Sequence, residues 1–89
     1  MRYMVYSIDV REKLADKLRK LKKSGSVTHS RILKKVNEIA VNPGIGKPLE
    51  HQHTEVRRVH VGHFVLTYEV DNSRNVITLV DFEHHDNAY

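Results

Sequence analysis

Apolar and polar residues alternate at both ends of this chain and recur at helical spacing between them. The run Tyr3-Met4-Val5-Tyr6-Ser7-Ile8 is rich in aromatic and β-branched residues and predicts a first strand. Asp9 is placed to cap a helix from about Arg11 to Lys23, in which Leu14, Leu18 and Leu21 fall on one stripe. Ser24-Gly25-Ser26 ends that helix, with Gly25 suited to the left-handed position after it. A second helix is predicted from about Thr28 to Val41, with Ile32, Leu33, Val36, Ile39 and Ala40 as a broad buried face. Asn42-Pro43-Gly44 stops it. The short connection implies an antiparallel helical hairpin, and its two apolar stripes need a sheet to cover.

The segment from Ile45 to Glu55 carries glycine, proline and two histidines and reads as a loop. Beyond it, Gly62-His63 separates two alternating runs, the signature of a tight hairpin turn of type II′. That turn pairs Val61 with Phe64, His60 with Val65, Val59 with Leu66 and Arg58 with Thr67. The pleat then assigns Val59, Val61, Phe64, Leu66, Tyr68 and Val70 to the core. Arg58, His60, Val65, Thr67 and Glu69 go to the outward face. Residues 71–75 form a turn, and Val76 to Glu83 alternates little in its first half, as a central strand covered on both faces would. His84 to Tyr89 leaves the sheet as a tail. The fold class is therefore α+β: an N-terminal strand and an antiparallel helical hairpin packed on a small, mainly antiparallel four-stranded sheet.

Length and composition narrow the picture. At 89 residues the chain is a single domain, without internal repeats or linkers. It buries only about 60–65 % of its unfolded surface, so a partner that binds the native state alone would add useful stability. There is no cysteine and therefore no disulfide framework. No apolar run approaches a membrane span, and no secretory signal opens the chain, which makes the cytoplasm the expected compartment. Charge is uneven: residues 1–49 hold 12 Lys/Arg against 4 Asp/Glu, whereas residues 50–89 hold 3 against 7. The basic half favours a polyanion or an acidic protein partner. Six of the seven histidines lie between residues 51 and 85.

Arg58 and His60 on the outward face, with Asp81, Glu83 and His85 in phase if the pleat persists, offer acid-base chemistry near neutral pH. The set suits RNA cleavage without a metal or cofactor: a base takes the 2′-hydroxyl proton, an acid protonates the leaving 5′-oxygen, and arginine stabilises the phosphoryl charge. On spacing alone, an exposed strand histidine is more often an ordinary surface residue. Metal binding is the rival use of His51, His53, His84 and His85, but no Cys or HExxH pattern accompanies them and adjacent strand histidines point to opposite faces. The basic first helix can meet nucleic-acid phosphates without reading sequence.

The order of elements resembles the RelE/ParE superfamily of toxin-antitoxin proteins. Three stretches carry the resemblance: the connection from Asn42 through Pro43, Gly44, Ile45, Gly46, Lys47 and Pro48 to Leu49, the segment from Arg58 to Tyr68, and the tail from His85 to Tyr89. Members typically cleave mRNA, often on the ribosome, and are silenced by a cognate antitoxin that wraps them. Operator DNA is reached only through the antitoxin complex, and no membrane is involved. In RelE itself, two lysines of this face fall at Arg58 and His60, an arginine of the next strand at Val65, a tail arginine at His85 and the terminal catalytic tyrosine at Tyr89. The YafQ branch is nearer. Its two working histidines match His60 and His85, its turn aspartate falls at His63, and a further loop histidine corresponds to His51 or His53. The resemblance thus implies His60 and His85 as an acid-base pair, Arg58 steadying the phosphate, and His63 or Tyr89 assisting. Lys47, His51, His53, Arg57, Lys20 and Lys23 are the candidate RNA contacts. Two other readings stay open: a ParE-like inhibitor of DNA gyrase, which needs no histidine pair, and a catalytically degenerate antitoxin-binding module, for which Val65 in place of arginine speaks.

Overall fold

A computed structural model describes residues 5–49 and 55–88. The elements run β1 (Ser7–Val10), α1 (Glu12–Ser24), α2 (Ser26–Val41), a 3₁₀ turn (Pro43–Ile45), β2 (Lys47–Leu49), β3 (Glu55–Val61), β4 (Phe64–Asp71), β5 (Val76–His84) and α3 (His85–Ala88). One sheet contains all five strands in the order β1-β5-β4-β3-β2. Only β1 and β5 pair in parallel. The hairpin of β3 and β4 has the register expected from the sequence. Gly62 supplies the positive φ of 63° that its turn requires.

Both helices cover one face of the sheet. Leu14 of α1 and Ile32, Val36 and Ile39 of α2 pack with Val61, Leu66, Tyr68, Val70, Ile77, Leu79 and Phe82. Each fully buried aliphatic side chain contributes about 1.5–3 kcal/mol. Among the described residues, the other face carries no helix except the one-turn α3, which lies against β4 and β5.

Several expectations need correction. The first strand begins at Ser7 rather than Tyr3, and Tyr3 and Met4 lie outside the described residues. Asp9 belongs to β1, opposite Thr78, so it caps nothing; Arg11 occupies the N-cap of α1 without a side-chain cap bond. Gly25 adopts φ −147°, not the left-handed conformation, because α2 starts one residue later. Leu33 is 49 % exposed, being rotated off the stripe by one residue from the buried Ile32. The sheet gains a fifth strand at Lys47–Leu49, within the segment read as a loop. β5 is central, but only one of its faces is covered: Ile77, Leu79 and Phe82 are buried and the residues of its other face are half-exposed. Val65 points outward as expected yet is 1 % exposed, since His60 and Glu83 flank it on its rung and α3 lies against β4 and β5.

The connection from α2 into the sheet is held by Tyr68. Its buried hydroxyl donates to the carbonyl oxygen of Pro43 at 2.6 Å and accepts the Gly46 N–H at 3.0 Å. Burial pushes this phenol's pKa above its ordinary value, which keeps the proton available for donation. Arg57 adds hydrogen bonds to the carbonyl oxygens of Gly46 (2.6 Å) and Gly44 (3.3 Å) and pairs with Glu55. A Cβ on Gly46 would collide with the Tyr68 hydroxyl and lie 2.9 Å from ring atoms Cε1 and Cζ. Tyr68→Phe is expected to cost about 1–3 kcal/mol by leaving the buried Gly46 N–H and the half-buried Pro43 carbonyl without their partner. Gly46→Ala costs a further overpacking penalty of about 1–3 kcal/mol. Urea unfolding midpoints of the two variants and the double variant check this, and because the residues touch, their effects will not add.

Candidate active site on the open face of the sheet

The outward face takes its residues from alternate positions of four strands. On one rung Lys47 of β2, Arg58 of β3, Thr67 of β4 and Asp81 of β5 stand side by side; on the next are His60, Val65 and Glu83. Between these outer rungs and the inner end of β5 the pairing slips, from Thr67–Asp81 to Tyr68–Leu79, leaving Val80 as a bulge. The bulge lets Phe82 and Leu79 both reach the core while Asp81 and Glu83 point outward.

His60 and His85 meet at the end of this face. His60 is exposed near the end of β3, and His85 opens α3 just past β5. Their ring centroids are 5.6 Å apart, with the planes tilted by 34°. The His85 backbone N–H donates to the His63 carbonyl oxygen at 2.7 Å, which fastens the tail to the hairpin turn. Arg58 shares the face with His60, two residues earlier, and is half-buried. His60, His85 and Arg58 are therefore neighbours on one surface.

The other candidates are distributed differently. The His63 ring stacks on His84 at 6.4 Å, and His84 meets the edge of Phe64 at 5.4 Å. Phe64 in turn stacks on Phe82, so this second pair of histidines lies on the helical side of the sheet. Lys47 is exposed beside Arg58. Arg57 faces the helical side, where it holds the 43–46 connection rather than presenting a free cation. Lys20 and Lys23 line a separate cleft along α1 with Asp16, Arg19 and Lys22, which has no wall in common with His60 or Arg58. His51, His53 and Tyr89 lie outside the described residues. Among the described residues, no three His, Cys, Asp or Glu side chains are grouped as metal ligands.

Lys17 belongs to the site, although nothing in its sequence context marks it among the seven basic residues from Arg11 to Lys23. β1 pairs only with Val76–Leu79, so β5 has an open edge from Val80 onward, and α1 runs beside it. The Lys17 ammonium reaches Asp81 at 3.1 Å, Glu83 at 3.0 Å and the Phe82 carbonyl oxygen at 3.3 Å. The bond to Glu83 leads the effects that raise its pKa. Burial acts to raise the Asp81 pKa, but the Lys17 hydrogen bond, the Phe82 N–H and the Lys17 charge together hold this carboxyl below its usual range. Asp81 is thereby kept ionised, and the Lys17 ammonium sits against both carboxylates at the margin of the site.

A sheet with one largely polar face, a helical hairpin on the other and a short tail folded over its end makes a small α+β domain. Residues 7–89 match the family described as ParE toxin of type II toxin-antitoxin system, parDE, and the chain belongs to the RelE/ParE toxin superfamily. RelE4 of Methanocaldococcus jannaschii is 40 % identical over 86 residues, covering 96 % of this chain and 92 % of that protein. A protein of Methanosarcina mazei is 36 % identical, over 96 % of this chain and all of its own length. Among solved structures, a chain of the archaeal RelE-RelB complex from Pyrococcus horikoshii aligns with a TM-score of 0.75 at 18 % identity, over 92 % of this chain and 97 % of that one. The isolated E. coli RelE toxin gives 0.74 at 21 %, over 89 % and 83 %. Identities this low speak for a shared fold.

Because Asp81's folded pKa is depressed, its contribution to stability is present above the unfolded value of about 3.9 and is lost as pH falls through the folded value. Thermal unfolding between pH 7 and pH 2 should therefore show a smaller acid-induced loss for Asp81→Asn than for the wild type. Since Lys17 and Asp81 are 46 % and 45 % exposed, the difference should stay below about 1 kcal/mol.

Proposed function

We propose that this chain is the toxin of a type II toxin-antitoxin pair and cleaves mRNA by acid-base catalysis. The observation that carries the reading is the meeting of His60 and His85, from two separate elements, on the exposed face that also bears Arg58. One imidazole takes the proton of a ribose 2′-hydroxyl. The 2′-oxygen attacks the adjacent phosphorus, and the other imidazole, protonated, gives its proton to the departing 5′-oxygen. The products are a 2′,3′-cyclic phosphate and a free 5′-hydroxyl, with the two histidines left in exchanged protonation states. Arg58 balances the charge that builds on the non-bridging oxygens. Lys47, next to it, is suited to the neighbouring phosphate.

The partner that silences the toxin is a cognate antitoxin. Solved relatives of the same fold include RelE-RelB complexes. An acidic antitoxin segment would complement the basic helical half of this chain and shield the tail. A complex that leaves both His60 and His85 open would argue against such shielding.

The ParE description of the matching family favours a second reading, inhibition of DNA gyrase. Controlled expression with mapping of mRNA ends separates the two. Wild type should arrest growth and create new mRNA 5′ ends, and His60→Ala or His85→Ala should each slow cleavage about 10²–10⁴-fold. Arrest with intact mRNA and trapped gyrase-DNA complexes would establish the second reading instead. A folded wild type that neither arrests growth nor cleaves RNA would leave a binding module.

A further inference from the structure

We propose that the cleft between α2 and the β3–β4 turn is a second RNA-binding subsite, which holds the backbone phosphates of the strand adjoining the cleaved bond. The inference rests on the RNA-cleavage reading and extends it to residues on the helical layer. Arg31, Lys34 and Lys35 occupy positions i, i+3 and i+4 of α2 and so share one face of it. With Glu38, His60 and Gly62 they line a cleft of about 330 Å³. His60 is thus a wall of this cleft and also a member of the histidine pair. A strand leaving the pair in this direction enters the cleft without crossing the core.

The charges suit phosphate. Lys35 is paired with Glu38 at 2.9 Å, which leaves it little net charge to offer. Arg31 and Lys34 are exposed, and among the described residues neither is in an ion pair. The turn lies close to these cations: a Cβ built on Gly62 would sit 3.6 Å from the Arg31 Nη1, within ordinary contact distance. Guanidinium and ammonium groups on a shallow polar surface bind phosphodiesters through charge, with no reading of bases. A peptide helix would need an apolar anchor, and the apolar residue of this cleft, Val61, is only 5 % exposed.

The test uses a fluorescent 12-nucleotide RNA whose 2′-hydroxyls are methylated, so that it binds but cannot be cleaved. Arg31→Gln/Lys34→Gln should bind it roughly tenfold more weakly than wild type. A log-log plot of affinity against salt should become shallower by about 1.4, at about 0.7 for each single-strand phosphate that is no longer neutralised. Single-turnover cleavage of saturating unmodified RNA should keep its rate, since the acid-base pair is intact. Arg74→Gln, in the turn at the opposite end of β4, should change binding less than about twofold. Both substituted side chains are exposed, and a thermal midpoint equal to wild type checks the fold; Arg31→Glu/Lys34→Glu should enlarge the loss. Unchanged RNA affinity in either double variant would overturn the proposal, as would a loss confined to an acidic peptide. If the wild type cleaves RNA in a His60-dependent way while the double variants bind normally, the subsite alone falls. If the wild type binds no RNA, the cleavage reading falls with it.

Discussion

The hydroxyl of Tyr68 is the contact on which the outer half of the sheet depends. It sits in the core between Pro43 and Gly46 and satisfies one carbonyl and one N–H at the point where the chain leaves the helices. Only a residue without a side chain can pass so close to the phenol, which is why glycine occupies position 46. Once the chain is held there, its next three residues fall in register along β3, with Lys47 opposite Arg58. Arg57, directly across from Tyr68, closes the same connection from the neighbouring strand. A cation of the outward face is therefore positioned by a polar contact buried on the opposite face.

The second constraint is that two short helices cover only one side of a five-stranded sheet. The bare side must be polar or be covered by something small, and both solutions are found. Val65 is sealed by its neighbours and the tail, while the rungs around it carry charge. Where β1 stops short along β5, Lys17 reaches the free carbonyl of Phe82 and gathers the two carboxylates on either side of it. On the proposed RNA-cleavage reading, this arrangement matters more than its modest stability. Unneutralised, Asp81 and Glu83 would repel phosphate from the rungs that hold Arg58 and His60.

How much of this could be read from the sequence follows from the range of each interaction. The β3–β4 register and the division of its residues between faces were legible because a two-residue turn opening with glycine fixes both locally. The pleat put His60 and His85 on one surface only if it persisted as far as His85, and singling them out as a pair came from family resemblance, since the turn says nothing about where a tail after β5 will fold. Strand β2 was hidden because three residues containing a proline carry no periodicity, and its pairing depends on a tyrosine 22 positions from Gly46. Lys17 was hidden for a similar reason. Six cations on one helix look alike until the length of β1 decides which of them meets an open edge. The burial of Val65 and the exposure of Leu33 also reflect neighbours supplied by tertiary structure, not their own pattern.

The hairpin turn links these levels. A slip of one residue in β3 would send His60 to the helical face and bring Arg57 or Val59 outward, so the site exists only in the observed register. That register is set by Gly62, and the carbonyl of the next residue, His63, receives the N–H of His85. The same two-residue turn therefore orients one histidine through the pleat and tethers the other through the backbone. Its glycine also lies beside the Arg31 guanidinium. In a domain this small, the simplest way to bring groups from three elements to one place is to let a single rigid turn be the neighbour of all of them, and the sequence Gly62-His63 does so without contributing either ring of the pair.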